Sequence, residues 1–478
     1  MRPSDLAIGL LAAAFLLDPA VQASGLAGSP GAELYGHAWV QWWAAEQWPA
    51  WPRGTAIATG TQVWPVVDPL PTWLVAGLAQ LVGPTWAWNA WVAVGVVLAA
   101  VGGGAFARSI GGSGPVGAAG LATAPIFVGS LVSGLTEDFA LGLVALGLAQ
   151  LIEGRRALGA VLLALSAYCG LYVAWLGAAA ALSIGLADAL DRPGRWVGAG
   201  LLALVLAAPA AYPFRERLDG VGHHAGVVRV EEEPLWHLNP WRGADLASFV
   251  VPGEVDPGPA LVREHPTYLG WFTVGLAAMG GLHPAWLGFL ACVLVAPGEE
   301  YSFAGKPLGL DNPAVTAFRL LPFAERFNHH ARLMLLGQLC LIGLAARGAE
   351  RLRKHPVVPF VLAGLVAVEY VASPARAPLP VTPVAHPVIY ARLASFPAGP
   401  VAIRGGAGPG IHPQKIFFDQ RAHGRRLLHN PNRPADGRPV GNSVLVALGT
   451  ARAATEEEWG EPDEITPDGA AWWIEAKK

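Results

Sequence analysis

Residues 114–156 read GPVGAAGLATAPIFVGSLVSGLTEDFALGLVALGLAQLIEGRR, and this stretch decides the fold class. An apolar run over 114–134 meets the acidic turn Gly134-Leu135-Thr136-Glu137-Asp138. A second apolar run over 137–152 follows and ends at Arg155-Arg156. A helix that crosses a bilayer needs roughly 20 mostly apolar residues, with a range of about 17–25. Two such runs joined by a few residues predict a helical hairpin in lipid, with its carboxylates at one surface and its arginines at the other.

The same pattern extends in both directions. Further apolar segments occupy 5–22, 85–107, 157–170, 171–188, 195–213, 267–282, 283–298, 330–347 and 355–373. The shorter run 70–83, bounded by prolines, is expected to lie at the interface. Lys and Arg stay on the cytoplasmic side of short loops. With the N-terminus inside, the cytoplasmic turns hold Arg2, Arg108, Arg155 with Arg156, Arg192 with Arg195, and Arg347, Arg351, Arg353 with Lys354. The connections near 135 and 170 carry none. The expectation is an all-α polytopic membrane bundle of about eleven transmembrane helices. Its domain over 1–373 has external loops 24–84, 214–266 and 299–329, and a small extracytoplasmic α+β domain spans 374–478. Met1-Arg2, Leu6–Leu17 and Val21-Gln22-Ala23 also match a cleavable signal peptide; the sidedness is the same either way.

Composition agrees. The chain of 478 residues is 53% hydrophobic and 14% charged, with mean hydropathy +0.41, whereas soluble domains carry about 25% charged residues. A net charge of −3 without a basic stripe excludes a nucleic-acid partner. Cys169, Cys292 and Cys340 sit in apolar runs and read as small core fillers rather than disulfide or metal ligands.

Candidate chemistry lies in the external connections. Glu33, His37 and Gln41 recur at i, i+4 and i+8 and line one side of a helix. The run Trp39, Trp42, Trp43, Trp48 and Trp51 is expected to lay that helix along the membrane surface. A solvated polar face explains the column equally well. Asp68 precedes the run 70–83, where an N-cap needs no further role. Glu137 and Asp138 stand at a membrane boundary, where ionisable residues are costly and often functional; Thr136 or Glu137 as a helix cap is the plainer alternative. Loop 214–266 carries His223, His224, Glu231, Glu232, Glu233, His237 and His265 without the spacing of a zinc site. Arg326 and Arg332 flank His329-His330 at the start of a span, and can either bind phosphate oxygens or snorkel to headgroups. In the tail, Val401–Arg404, Ile416–Asp419, Ser443–Ala447 and Ala471–Glu475 read as short β-rich pieces.

Taken in order, these features resemble the GT-C superfamily of membrane glycosyltransferases and its bacterial relatives. The resemblance is carried by Glu33-Leu34-Tyr35-Gly36-His37-Ala38-Trp39, Asp68, Trp88-Asn89-Ala90, Gly134…Glu137-Asp138, Asn239-Pro240…Phe249-Val250-Val251-Pro252, Tyr268-Leu269-Gly270, Arg326-Phe327…Arg332 and Gln420–Arg425. It implies transfer of a sugar from a polyprenyl-phosphate donor to an extracytoplasmic acceptor, in the bacterial inner membrane and in contact with its lipids. It implies catalytic roles for Glu33 and for Glu137 or Asp138. His37, Asp68, Arg326 and Arg332 would bind substrate, and Asp138 would hold a divalent cation such as Mg or Mn. The sequence departs from the family at Glu33, where aspartate is usual, and it lacks a paired acidic motif in the first loop. Other readings are an inactive scaffold of the same fold that binds lipid or polysaccharide, and, with less support, a transporter.

Overall fold

The computed structural model describes residues 2–17, 25–52, 66–191, 193–210, 243–252, 266–321, 329–372, 378–386, 388–395, 400–405, 414–425, 427, 444–448, 451–467 and 470–473. Loop histidines 223, 224, 237 and 265, Glu231–Glu233, Arg326 and the motif Asn239-Pro240 lie outside them.

Each apolar run forms helix. In chain order these are α1 (Pro3–Leu16), α2 (Leu34–Glu46), α3 (Pro69–Val82), α4 (Pro84–Ser109), α5 (Gly114–Thr123), α6 (Pro125–Ser133), α7 (Leu141–Ile152), α8 (Arg156–Cys169), α9 (Leu171–Asp191) and α10 (Pro193–Ala207). After them come α11 (Trp271–Met279), α12 (Ala285–Val295), α13 (Pro313–Phe318), α14 (Met334–Arg351) and α15 (Val358–Ala372). Prolines at the first turn start α1, α3, α4, α5 and α6, where the missing N–H costs nothing.

Among the described residues, three stretches are long and apolar enough to cross a membrane: Pro84–Ser109, Gly114–Ser133 and His330–Arg351. They are also the most interior, and shorter apolar helices surround them. Those outer helices expose Leu10, Leu11, Leu204, Val205, Leu287, Leu294 and Val368, an apolar belt far too large for a water-facing surface. The chain is a membrane protein.

Two details explain the interior packing. The triplet Gly102-Gly103-Gly104 lets α4 approach its neighbours backbone to backbone. A Cβ on Gly102 would sit 2.3 Å from the Gly142 carbonyl oxygen of α7, and one on Gly103 2.3 Å from that of Gly117 on α5. Small residues supply such contacts where lipid removes the hydrophobic drive. The expected span 114–134 is broken at Ala124, whose backbone (φ −52°, ψ 128°) is extended ahead of Pro125. The fully buried Gln338 of α14 reaches the break, accepting from the Ile126 N–H at 3.4 Å and donating to the Tyr268 carbonyl at 2.8 Å. At the other end of the bundle, Arg108 holds the fully buried Asp5 through two bonds of 3.0 and 2.5 Å, fastening α1 to α4.

The tail is packed onto β1, in the connection between α1 and α2, and onto α2 itself. Strand β1 (Gly25–Ala27) pairs antiparallel with β4 (Val381–Pro383); β2 (Glu300–Phe303) and β3 (Lys306–Asp311) form a separate hairpin. Beyond β4 come α16 (Val388–Ser395), β5 (Val401–Arg404), α17 (Lys415–His423), β6 (Val444–Ala447), α18 (Ala451–Trp459), β7 (Glu464–Ile465) and β8 (Ala471–Trp473). The sheet order is β5-β6-β8-β7, with β5 and β6 parallel and the other pairs antiparallel. One face of this sheet buries Val401, Ile403, Val444, Val446 and Trp472 together with Phe417 and, from α2, Trp39 and Val40.

That contact corrects two expectations. Ile416–Asp419 is helical, not β, because Ile416, Phe417, Phe418 and Gln420 are wanted on a packed helical face. Trp39 does not lie at the lipid surface. It is fully buried, its ring 5.1 Å from Phe417 and its Nε1 donating to Gln420 Oε1 at 2.8 Å. Tyr35 meets Phe418 in the same way at 5.0 Å. The three cysteines are free and buried, as fillers are.

Candidate active site

Four separate connections meet at one point. The first is the start of α2, where Glu33 is the residue before the helix and His37 stands one turn in. The second is Asp68, ahead of α3. The third is the 3-10 turn Thr136–Ala140 between α6 and α7. The fourth is the 3-10 turn His330–Leu333 that leads into α14 and carries Arg332.

Asp68 is buried and does not cap α3. Its Oδ1 accepts from Thr72 Oγ1 at 3.0 Å and its Oδ2 accepts from Thr136 Oγ1. Burial raises its carboxyl from 3.8 to about 6; the Glu137 charge adds to this, while His37 and the two hydroxyls oppose it. Thr136 Oγ1 also lies 3.2 Å from His37 Nδ1. On the far side of the imidazole, Nε2 faces Glu137 Oε2 at 3.9 Å. Glu137 Oε1 accepts from Arg332 Nη1 at 3.0 Å, and the Arg332 guanidinium sits over the Tyr172 ring at 5.5 Å. Asp138 turns inward, fully buried, and its Oδ2 accepts from Ser130 Oγ at 2.8 Å.

Exposure sorts these groups. The side chains of His37, Glu137 and Arg332 retain 14%, 10% and 8% of their surface, so a ligand reaches them first. Asp68 and Asp138 stand behind. Glu33 is half-buried, and its carboxylate has no hydrogen-bond or ion-pair partner among the described residues. Gln41, the third member of the predicted column, is buried in an apolar cleft with Trp42 and Trp88 rather than solvated. Of the expected site residues, the fold therefore joins His37, Asp68, Glu137 and Arg332, with Asp138 adjoining. Thr136 was legible only as a helix cap, and Thr72, Ser130 and Tyr172 carried no signal in the sequence.

A divalent cation fits this arrangement poorly. Glu137 Oε2 and Asp138 Oδ1 are buried without a hydrogen-bond partner among the described residues, as metal-facing oxygens would be. However, both Asp68 oxygens and Glu137 Oε1 are taken by protein donors. Among the described residues no group of three or more His, Cys, Asp or Glu is arranged to hold a metal. The positive charge at Glu137 comes from Arg332.

Gly170, at the break between α8 and α9, leaves room for this pair. A Cβ there would stand 2.6 Å from the Glu137 Cβ. Gly170→Ala is expected to lower stability by about 1–3 kcal/mol and to push Glu137 off Arg332. Thermal unfolding of the detergent-solubilised variant measures the first effect.

No family model matches the chain, and no curated protein matches it in sequence. Among solved structures, the chain is similar to ArnT from Cupriavidus metallidurans in the apo state, with TM-score 0.42 and 13% identity over 98% of this chain and 95% of that one. The same enzyme bound to undecaprenyl phosphate matches with TM-score 0.41 and 14% identity over 98% and 96%. The archaeal oligosaccharyltransferase AglB from Archaeoglobus fulgidus, in complex with an inhibitory peptide and a dolichol-phosphate, matches with TM-score 0.46 and 11% identity over 93% and 69%.

Proposed function

We propose that this chain is a glycosyltransferase of the bacterial inner membrane, of the GT-C type, that moves a sugar from a polyprenyl-phosphate donor to an extracytoplasmic acceptor. Envelope glycans, glycolipids and proteins are the acceptor classes. About eleven helices span the bilayer, the N-terminus is cytoplasmic, and the tail from residue 374 lies outside. The observation that carries the reading is the convergence of His37, Asp68, Glu137 and Arg332 from four connections, three of which the arginine alternation assigns to the outer face. The fourth, at Arg332, adjoins external loop 299–329 in the same scheme.

The chemistry suits that assignment. Transfer to a hydroxyl needs a base for the acceptor proton and positive charge for the departing phosphate. His37, Glu33 and Glu137 are the accessible basic groups. Arg332 supplies the charge, and its planar fork matches a phosphate. The apolar exposure of the outer helices suits a substrate whose anchor stays in lipid.

One observation favours an inactive scaffold instead: Glu137 is already neutralised by Arg332. The two readings separate in a single assay. The full chain in lipid nanodiscs is incubated with polyprenyl-phosphate sugars and radiolabelled product is sought. Turnover that disappears in Glu137→Gln supports the enzyme. Specific binding of the donor with no product from any hexosyl or pentosyl lipid supports the scaffold.

A further inference from the structure

We propose that Asp68, Thr136 and His37 form a hydrogen-bonded chain that makes His37 Nε2 the base for the acceptor hydroxyl, with Thr136 as the positioning residue. This rests on the glycosyltransferase reading. A threonine hydroxyl has one proton to donate, and Asp68 Oδ2 and His37 Nδ1 both lie within reach of Thr136 Oγ1. When that proton goes to the Asp68 carboxylate, the hydroxyl oxygen has to accept from an Nδ1–H. The imidazole is then fixed in the tautomer whose Nε2 lone pair points away from Asp68, toward Glu137.

Beyond Nε2 lies the Glu137 carboxylate, with Oε2 3.9 Å away, too far for a hydrogen bond and without a hydrogen-bond partner among the described residues. The Nε2 lone pair is thus left free for the acceptor hydroxyl, with a carboxylate close enough to offset the charge that forms on the ring. In the transfer step the acceptor O–H bond breaks and the proton goes to Nε2. The oxygen pair forms the new bond to the anomeric carbon. The bond from that carbon to the phosphate oxygen breaks, with its electrons left on the phosphate. The imidazolium keeps Nδ1–H on Thr136 and turns Nε2–H to Glu137, so Asp68 and Glu137 both offset its charge. The proton then leaves to the lipid phosphate or to water.

The charged groups around His37 are Asp68, Glu137, Asp138 and Arg332, with Glu33 one turn earlier on its own helix edge and Lys415 of α17 beyond Tyr35. Glu33 is the base that the resemblance implies, but no described residue orients its carboxylate, whereas His37 is held at Nδ1 by Thr136.

The test compares Thr136→Val with Thr136→Ser in the full chain in nanodiscs. Ring-nitrogen NMR of 15N-histidine protein reads the tautomer, and the difference spectrum against His37→Gln identifies His37 among the 13 histidines. Wild type and Thr136→Ser are expected to show Nδ1–H and similar turnover. Thr136→Val is expected to lose that signature and to drop kcat by about 10²–10⁴-fold, with KM nearly unchanged. An unaltered tautomer in Thr136→Val, or equal losses in both variants, overturns the proposed role of the chain. Because the spectrum needs no turnover, absence of any sugar transfer by wild type counts against the glycosyltransferase reading and leaves the orientation of His37 by Thr136 decided by the tautomer.

Discussion

Glu137→Gln is expected to abolish sugar transfer and to cost about 3–5 kcal/mol of stability, because removing one partner of a buried ion pair strands the other charge. Glutamine keeps the shape of Glu137 and can still accept from Arg332 Nη1, but it cannot balance a guanidinium that is 6% exposed. Two effects are superimposed, and a second variant separates them. Replacing both residues, as Glu137→Gln with Arg332→Met, removes the stranded charge and is expected to recover most of the stability. Transfer is expected to stay absent, since neither the phosphate-facing cation nor the carboxylate beyond His37 Nε2 remains. Unfolding in graded denaturing detergent measures stability, and the nanodisc assay measures transfer. Recovery of both together would mean that the pair serves only the fold.

Asp68→Asn is expected to do the opposite to stability. The Asp68 carboxyl is raised from 3.8 to about 6 in the folded chain, chiefly by burial, so the folded state holds this proton more tightly than the unfolded state does. Its contribution is therefore fully present below about pH 4 and is lost as pH rises through about 6, an amount of roughly 3 kcal/mol at 1.36 kcal/mol per pH unit. Asparagine has no proton to lose. The variant should be at least as stable as wild type at pH 7–8 and should lose this portion of the fall in stability between pH 4 and 6. Its activity should nevertheless drop by about 10²–10⁴-fold, because an amide NH₂ that donates to Thr136 turns the hydroxyl toward His37 Nδ1 and selects the wrong tautomer. A stability profile unchanged from wild type would show that Asp68 is not the group that titrates.

Stability and activity are thus expected to diverge at neighbouring residues of one cluster, and the divergence has a plain origin. Glu137 is buried with a cation, so its charge is supported. Asp68 is buried among hydroxyls, so its charge is not.

The sequence by itself determined the lipid environment, the positions of the apolar helices and the acidic turn at 134–138. Hydropathy and the placement of arginines are local properties, legible within one helix length. It also singled out His37, Asp68, Glu137 and Arg332 one at a time. Only the tertiary structure decided how they meet. Glu137 and Arg332 are 195 residues apart, and no periodicity links a threonine in one turn to an aspartate ahead of another helix. Asp68 reads as an N-cap until its carboxylate is seen turned to Thr72 and Thr136, and Trp39 reads as an interfacial indole until α17 covers it. Partner choice for a buried polar group is a contest among everything packed around it, and that contest is settled by folding rather than by neighbours in the chain.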